Sequence, residues 1–117
     1  MASDVFKLII LIKRKPGLSI AEFRDYYEQH HRKIGEAAAP AVGMFHYSRR
    51  FLDPVAGGEP EYDVITENWF NDREKFEGLL SALKKGDLDP EVYADEERFI
   101  DRSKTRFCTV VECESRL

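Results

Sequence analysis

The chain has 117 residues, 43% of them hydrophobic and 34% charged, with a formal net charge of −4. That is the make-up of one soluble domain with its own packed core, spanning residues 1–117. The positive charges are scattered apart from short groups such as Lys13-Arg14-Lys15 and Arg49-Arg50, which argues against nucleic acid as a partner, because a binder concentrates them in a stripe. No run approaches the roughly 20 apolar residues of a membrane span, so no membrane partner is expected.

Met1-Ala2-Ser3-Asp4 has no basic n-region, and the apolar run Leu8 to Ile12 is too short for a signal peptide. Cytoplasmic placement is the expectation. Cys108 and Cys113 fall on one predicted strand, about 16 Å apart at ~3.3 Å per residue. A disulfide needs less than about 7 Å, so they cannot pair within that strand. No CxxC and no Cys/His cluster at zinc spacing occurs, and no metal is expected.

Val5 to Arg14 reads as a strand with Phe6, Leu8, Ile10 and Ile12 on one face and Ile9 and Leu11 on the other. Both faces should therefore be covered. Pro16-Gly17 is a turn signal, and Ser19 with Glu22 forms a capping box for a helix running to about Gly35. Pro40 is expected to end it. Met44 to Leu52 is a second strand, with Phe45, Tyr47 and Phe51 on one side. A Gly- and Pro-containing loop leads to a third strand, Tyr62 to Phe70. Asn71 and Glu74 should cap a helix whose Phe76, Leu79, Leu80 and Leu83 recur at helical spacing before Lys84-Lys85-Gly86. Asp89-Pro90 opens a shorter helix carrying Val92, Tyr93, Phe99 and Ile100, and Arg106 to Cys113 is a last strand.

This order is that of a split βαβ unit: an α+β, ferredoxin-like antiparallel four-stranded sheet with helices on one face. The second apolar face of the first strand needs another layer. The simplest is the sheet of a second copy, which makes a homodimer the expected assembly.

Several motifs in this order resemble the EthD family of dimeric α+β-barrel proteins. Lys7-Leu8 through Lys15-Pro16-Gly17-Leu18-Ser19 is similar to its opening strand and turn. Glu22-Phe23-Arg24-Asp25-Tyr26-Tyr27-Glu28-Gln29-His30-His31 is similar to its helix signature, an aromatic followed four residues on by histidine. Glu67-Asn68-Trp69-Phe70-Asn71-Asp72 and Ala94-Asp95-Glu96-Glu97-Arg98-Phe99-Ile100-Asp101 resemble its third-strand and C-terminal segments. Family members often carry proline two residues after the signature histidine. Lys33 stands there, so the helix can continue. The resemblance implies mixed roles: accompanying the oxidative degradation of small ethers, isomerising methyl-substituted muconolactones, or tailoring aromatic polyketides. It supplies fold and pocket more than reaction.

On a helix turning about 100° per residue, Ile20, Phe23, Tyr27 and Ile34 define the apolar axis of the first helix. His30 and His31 lie about 50° to either side of it. Periodicity leaves the two level; the resemblance favours His31, four residues after Tyr27. Histidine is the side chain nearest neutrality, suited to taking or giving a proton. Against it stands the plain reading of two half-exposed histidines bonded to backbone or water. Tyr27 shares the face and would orient a substrate, or would simply be a core aromatic. Tyr26 should lie nearer the surface.

Glu96 points a carboxylate inward with Val92, Phe99 and Ile100, where it could pair with His31 or an arginine or meet a ligand. Trp69 and Phe70 end their strand on opposite faces, one in the core and one in the dimer layer; Trp69 is a candidate wall for a planar ligand. Related barrels bind haem through a histidine, which would make His31 an axial ligand, but no dedicated propionate-binding motif accompanies it and no cofactor is expected.

The function these residues suggest is acid/base chemistry on a small cyclic or aromatic carbonyl compound: isomerisation, dehydration or oxidation. His31 and Tyr27 would be catalytic, and Glu96, Trp69 and His30 would contact substrate. The alternatives are a non-catalytic ligand-binding or accessory protein serving a neighbouring oxygenase pathway, or an oligomerisation module whose pocket is simply core.

Overall fold

The protein is described here by a computed structural model covering residues 4–117; the reading that the N-terminus carries no signal peptide falls largely on residues 1–3, outside the described residues. Four strands, β1 (Phe6–Ile12), β2 (Met44–Phe51), β3 (Val64–Phe70) and β4 (Arg106–Thr109), form one sheet in the order β2-β3-β1-β4. Every neighbouring pair is antiparallel. This is the ferredoxin-like, α+β arrangement that the element order suggests. β1 is central, hydrogen-bonded along both edges, to β3 and to β4.

The register separates the two sides. Leu8, Ile10 and Ile12 stand opposite Asn68, Thr66 and Val64, and this side lies under the helices. Leu8, Ile12, Val64, Thr66 and Phe70 are buried there. Lys7, Ile9 and Leu11 stand opposite Trp69, Glu67 and Ile65 on the reverse side, which no helix covers and where these residues are only half-buried.

Two apolar clusters fill the helix side. The first joins Ile12, Phe23, Tyr27, Val64, Phe99 and Ile100 beneath the N-terminal helical segment. The second joins Leu8, Phe70 and Phe76, with Leu79, Leu80 and Leu83 of α3 (Arg73–Lys85) packed against it. Phe99 is the hub of the first. Its ring centroid lies 5.7 Å from Phe23, 5.2 Å from Tyr26, 5.6 Å from Tyr27 and 4.8 Å from His31.

The N-terminal helix departs from expectation. α1 (Ile20–Tyr26) starts at the Ser19–Glu22 capping box, as read from the sequence. It then passes through a π-helical turn, Tyr27–His31, in which the Arg32 amide donates to the Tyr27 carbonyl five residues back. α2 (Arg32–Val42) continues beyond Gly35 and through Pro40. Pro40 was expected to end the helix. It sits exposed in the last turns, where the lost amide bond is tolerable because Val42 packs into the second cluster. Gly43, at φ +71°, supplies the left-handed cap.

Three smaller expectations are also corrected. A bulge between Met44 and His46 turns Phe45 outward, leaving it 51% exposed instead of beside Tyr47 and Phe51. Asp72, not Asn71, caps α3, accepting from the Lys75 amide at 3.0 Å. β4 stops at Thr109, so Cys113 lies beyond the strand; both cysteines are free and exposed.

Gly35 shows how closely α2 rides over the sheet: a β-carbon there would lie 2.9 Å from Cε2 of Tyr47. Replacing Phe99 by Ala should cost about 3–5 kcal/mol of unfolding free energy in urea. Gly35→Ala, despite its better helix propensity, should also destabilise, because the Tyr47 ring must move.

Candidate functional site

The π-helical turn sets the site. It accommodates one extra residue, so side chains after it are set back by about one residue step. His31 thereby turns inward and His30 outward, and the next inward position falls on Gly35 rather than Ile34. His31 keeps only 17% of its side-chain surface, whereas His30 is exposed and stacks on Tyr26 with centroids 4.9 Å apart.

The His31 ring stands edge-on to Tyr27 at 4.9 Å and against Phe99. Its Nδ1 lies 2.7 Å from Oδ2 of Asp95 in α4 (Pro90–Glu97). A carboxylate only accepts, so Nδ1 carries the hydrogen and donates it. Nε2 is left with the lone pair, the tautomer of a general base held by an acid partner. Asp95 is 3% exposed, and its Oδ1 accepts from the Tyr26 hydroxyl at 2.5 Å. Tyr26, expected near the surface, is thus part of the site, and burial raises its pKa. Burial lowers the pKa of His31 below the ordinary imidazole value, with the Asp95 hydrogen bond and charge acting the other way. Burial thus favours the neutral imidazole.

Beneath the ring, Tyr27 is fully buried. Its hydroxyl lies 2.6 Å from Oγ1 of Thr66 and accepts from the Tyr47 hydroxyl at 3.0 Å. Burial raises the pKa of both phenols, so they act as neutral hydrogen-bonding groups. Glu28, within the π turn, clasps the Arg49 guanidinium, with Nε donating to Oε2 at 3.0 Å. That tie fixes the turn to β2.

The remaining sequence candidates are dispersed. Glu96 is buried, but it lines a cavity of about 140 Å³ with Tyr93, Ile100, Arg102 and Phe107, and His31 is not part of that lining. Arg102 Nε approaches the Glu96 carboxyl at 3.6 Å, and burial raises the pKa of that carboxyl. Asp95, its neighbour, takes the pairing with His31. Sequence periodicity singles out Glu96 and not Asp95 because the partner is 64 residues away and leaves no local pattern. Trp69 lies on the uncovered side of the sheet, opposite to His31. There Lys7 sits over its ring at 4.3 Å, His46 stacks at 4.2 Å, and its indole donates to Glu67 at 2.6 Å. Among the described residues no three His, Cys, Asp or Glu side chains gather as a metal site, and no helix is long and apolar enough to cross a membrane.

The EthD domain model matches residues 15–103. This chain belongs to the EthD family. A comparison with curated proteins gives no match. Among solved structures, the fold is similar to that of an EthD family protein from Bacillus halodurans, at 18% identity and a TM-score of 0.62, covering 94% of this chain and all of that one. It is also similar to a hypothetical Arabidopsis thaliana protein, at 14% identity and a TM-score of 0.62, covering 99% of this chain and 95% of that one. A third, described as a dimeric protein of unknown function and ferredoxin-like fold from Bacteroides fragilis, matches at 12% identity and a TM-score of 0.53, covering 91% and 92%. At these identities the likeness is one of fold.

Because the folded-state pKa of His31 lies below its unfolded value of about 6.5, the unfolded chain binds the proton first. Stability from this group is full above about pH 6.5 and is lost as pH falls below it. Urea midpoints should therefore fall between pH 7.5 and 5.5 more for the native protein than for His31→Gln. In NMR the His31 ring should titrate with a midpoint below 6.5.

Proposed function

We propose that this EthD protein is an enzyme that moves a proton on a small cyclic or aromatic carbonyl compound, with His31 Nε2 as the base. The observation that carries this is the 2.7 Å bond from His31 Nδ1 to the buried Asp95. It fixes the tautomer, orients the ring and stabilises the imidazolium that forms when Nε2 takes a proton. Tyr26 holds the other oxygen of Asp95, so the carboxylate cannot swing away. Tyr27 forms the wall against which the His31 ring stands.

The chemistry this supports is enolisation: removal of a proton next to a carbonyl, followed by return at another carbon, loss of a leaving group, or reaction of the electron-rich enolate with oxygen. A positioned base of this kind contributes about 10²- to 10⁴-fold in rate. A second reading, binding without turnover in support of a partner oxygenase, is favoured by sparse equipment. Among the described residues no serine, cysteine or lysine is hydrogen-bonded to His31, whose only such partner is Asp95.

Proton exchange separates the readings. The protein is incubated in D₂O with acetophenone, cyclohexanone and a γ-lactone, and the α-proton signals are followed by NMR. Accelerated exchange that drops about 10²-fold or more in His31→Gln, and persists in His30→Gln, supports the base. Binding without exchange favours the accessory role.

The assembly we propose is a homodimer closed sheet to sheet. Ile9, Leu11 and Ile65 line the side of the sheet that no helix covers, and the Bacteroides fragilis protein of this fold is described as dimeric. Cytoplasmic placement remains part of the same proposal. Sedimentation at micromolar concentration should give about twice the 13.6 kDa chain mass, and Ile9→Asp should shift the protein to a folded monomer. A native monomer would sink the sheet-to-sheet closure.

A further inference from the structure

The cavity beside Glu96 has no part in the chemistry of His31. It lies on the helix side of the sheet, between the end of α3, α4 and β4, with a volume of about 140 Å³. Its apolar lining is Leu83, Leu88, Ile100 and Phe107. Phe107 stands opposite Ile10 on that face of the sheet and is 43% exposed. An apolar cavity of about 150 Å³ holds a benzene ring, so a ligand here has a body of that size.

Four polar side chains share the lining, and only Thr105 is spent, its hydroxyl donating to the Asp101 carbonyl at 3.0 Å. Glu96 is 9% exposed. The nearest cationic nitrogen, Nε of Arg102, stands 3.6 Å from its Oε2, too far for a hydrogen bond. Tyr93 lies three residues before Glu96, on the same face of α4. Its hydroxyl accepts from the Leu88 amide at 3.0 Å, and its own proton has no acceptor among the described residues. Arg102 lays its guanidinium over the Tyr93 ring at 4.8 Å. Its Nη1 comes no nearer than 4.0 Å to Glu97, so its N–H groups are also unspent.

The state of Glu96 sets what this space can hold. Burial raises its pKa, with Arg102 opposing and the charge of Asp95 adding to the rise. No other charged group faces it across the cavity: α3 supplies Leu83 and β4 supplies Phe107, and Lys84 and Lys85 at the end of α3 are exposed outside the lining. A protonated carboxyl donates through its O–H. The polar end of the cavity then presents three kinds of donor and one positive charge. A cation is repelled there. A carboxylate, which only accepts, meets all three.

We propose that this cavity is a second binding site, separate from His31, for a small apolar monocarboxylate. The carboxylate accepts from the Glu96 and Tyr93 hydroxyls and pairs with the Arg102 guanidinium, and the apolar body lies against Leu83, Leu88, Ile100 and Phe107. The site stands whether or not His31 is a base.

The test uses benzoate, benzamide and benzylamine, which share the ring and differ in the head group, with binding followed by calorimetry and by amide NMR shifts. At pH 6 the native protein should bind benzoate about tenfold more tightly than benzamide, and benzylamine not at all. The shifts should centre on Tyr93, Glu96 and Phe107. Arg102→Gln, at a partly exposed position, should bring benzoate down to the level of benzamide. Affinity for benzoate should fall about tenfold or more between pH 5.5 and pH 9, as Glu96 ionises and repels the anion. In Glu96→Gln, which keeps a neutral donor, it should stay level. His31→Gln should leave both the affinity and its pH trend unchanged. A native protein that binds benzoate no better than benzamide, shifts that centre on His31, an Arg102→Gln variant that keeps the preference, or a pH trend that survives in Glu96→Gln overturns the assignment.

Discussion

The bond between His31 and Asp95 is the contact on which the site depends. It joins the π turn after α1 to α4, two elements far apart in the chain, and fixes the tautomer of a largely buried histidine. Without the carboxylate, burial alone would leave a neutral ring free to choose either tautomer. With it, the lone pair has one place to be. The shared aromatic hub supports the arrangement: Phe99 follows directly after α4 and touches Phe23, Tyr26, Tyr27 and His31. The two elements cannot drift apart without opening that cluster.

The sheet is a platform with two unlike sides. On the helix side an apolar floor is interrupted by a short polar strip, Thr66 and Asn68, lying under the histidine's own helix. On the reverse side Ile9, Leu11 and Ile65 share space with the Lys7–Trp69–His46 stack and the Glu67–Arg50 pair. A mixed surface of this kind suits closure against another protein surface better than it suits a small ligand. Trp69, an attractive candidate from sequence, lies on this side and so does not join His31 within one chain.

The end of β1 is locked separately. Asp63 is 6% exposed and accepts from the Arg14 amide at 2.8 Å, and its own amide donates to Ile12 at 2.8 Å. Lys13 and Arg14 tie Glu59 to the same place. The loop before β3 is therefore held by charge and backbone bonds, which keeps the register that sets Thr66 and Asn68 on the helix side.

Much of the fold was legible in sequence, because strand alternation, capping boxes and turn residues act over a few positions. The two-sided β1, the Ser19–Glu22 start and the leucine face of α3 all follow from local pattern, and the ordered motifs indicated the family. What the pattern left level, His30 against His31, was decided by the π turn. That single inserted residue leaves no periodic trace, and it is stabilised by contacts to β2 and α4. The partners of the site were hidden for a related reason. Asp95 is 64 residues from His31 and Thr66 is 39 from Tyr27, and a hydrogen bond between distant segments imposes no spacing on either. The sequence by itself determined the strands, the helix starts and the apolar faces, and it singled out the candidate residues. Only the tertiary structure decided which of them meet, because burial and pairing of polar groups depend on packing between elements that local sequence does not encode.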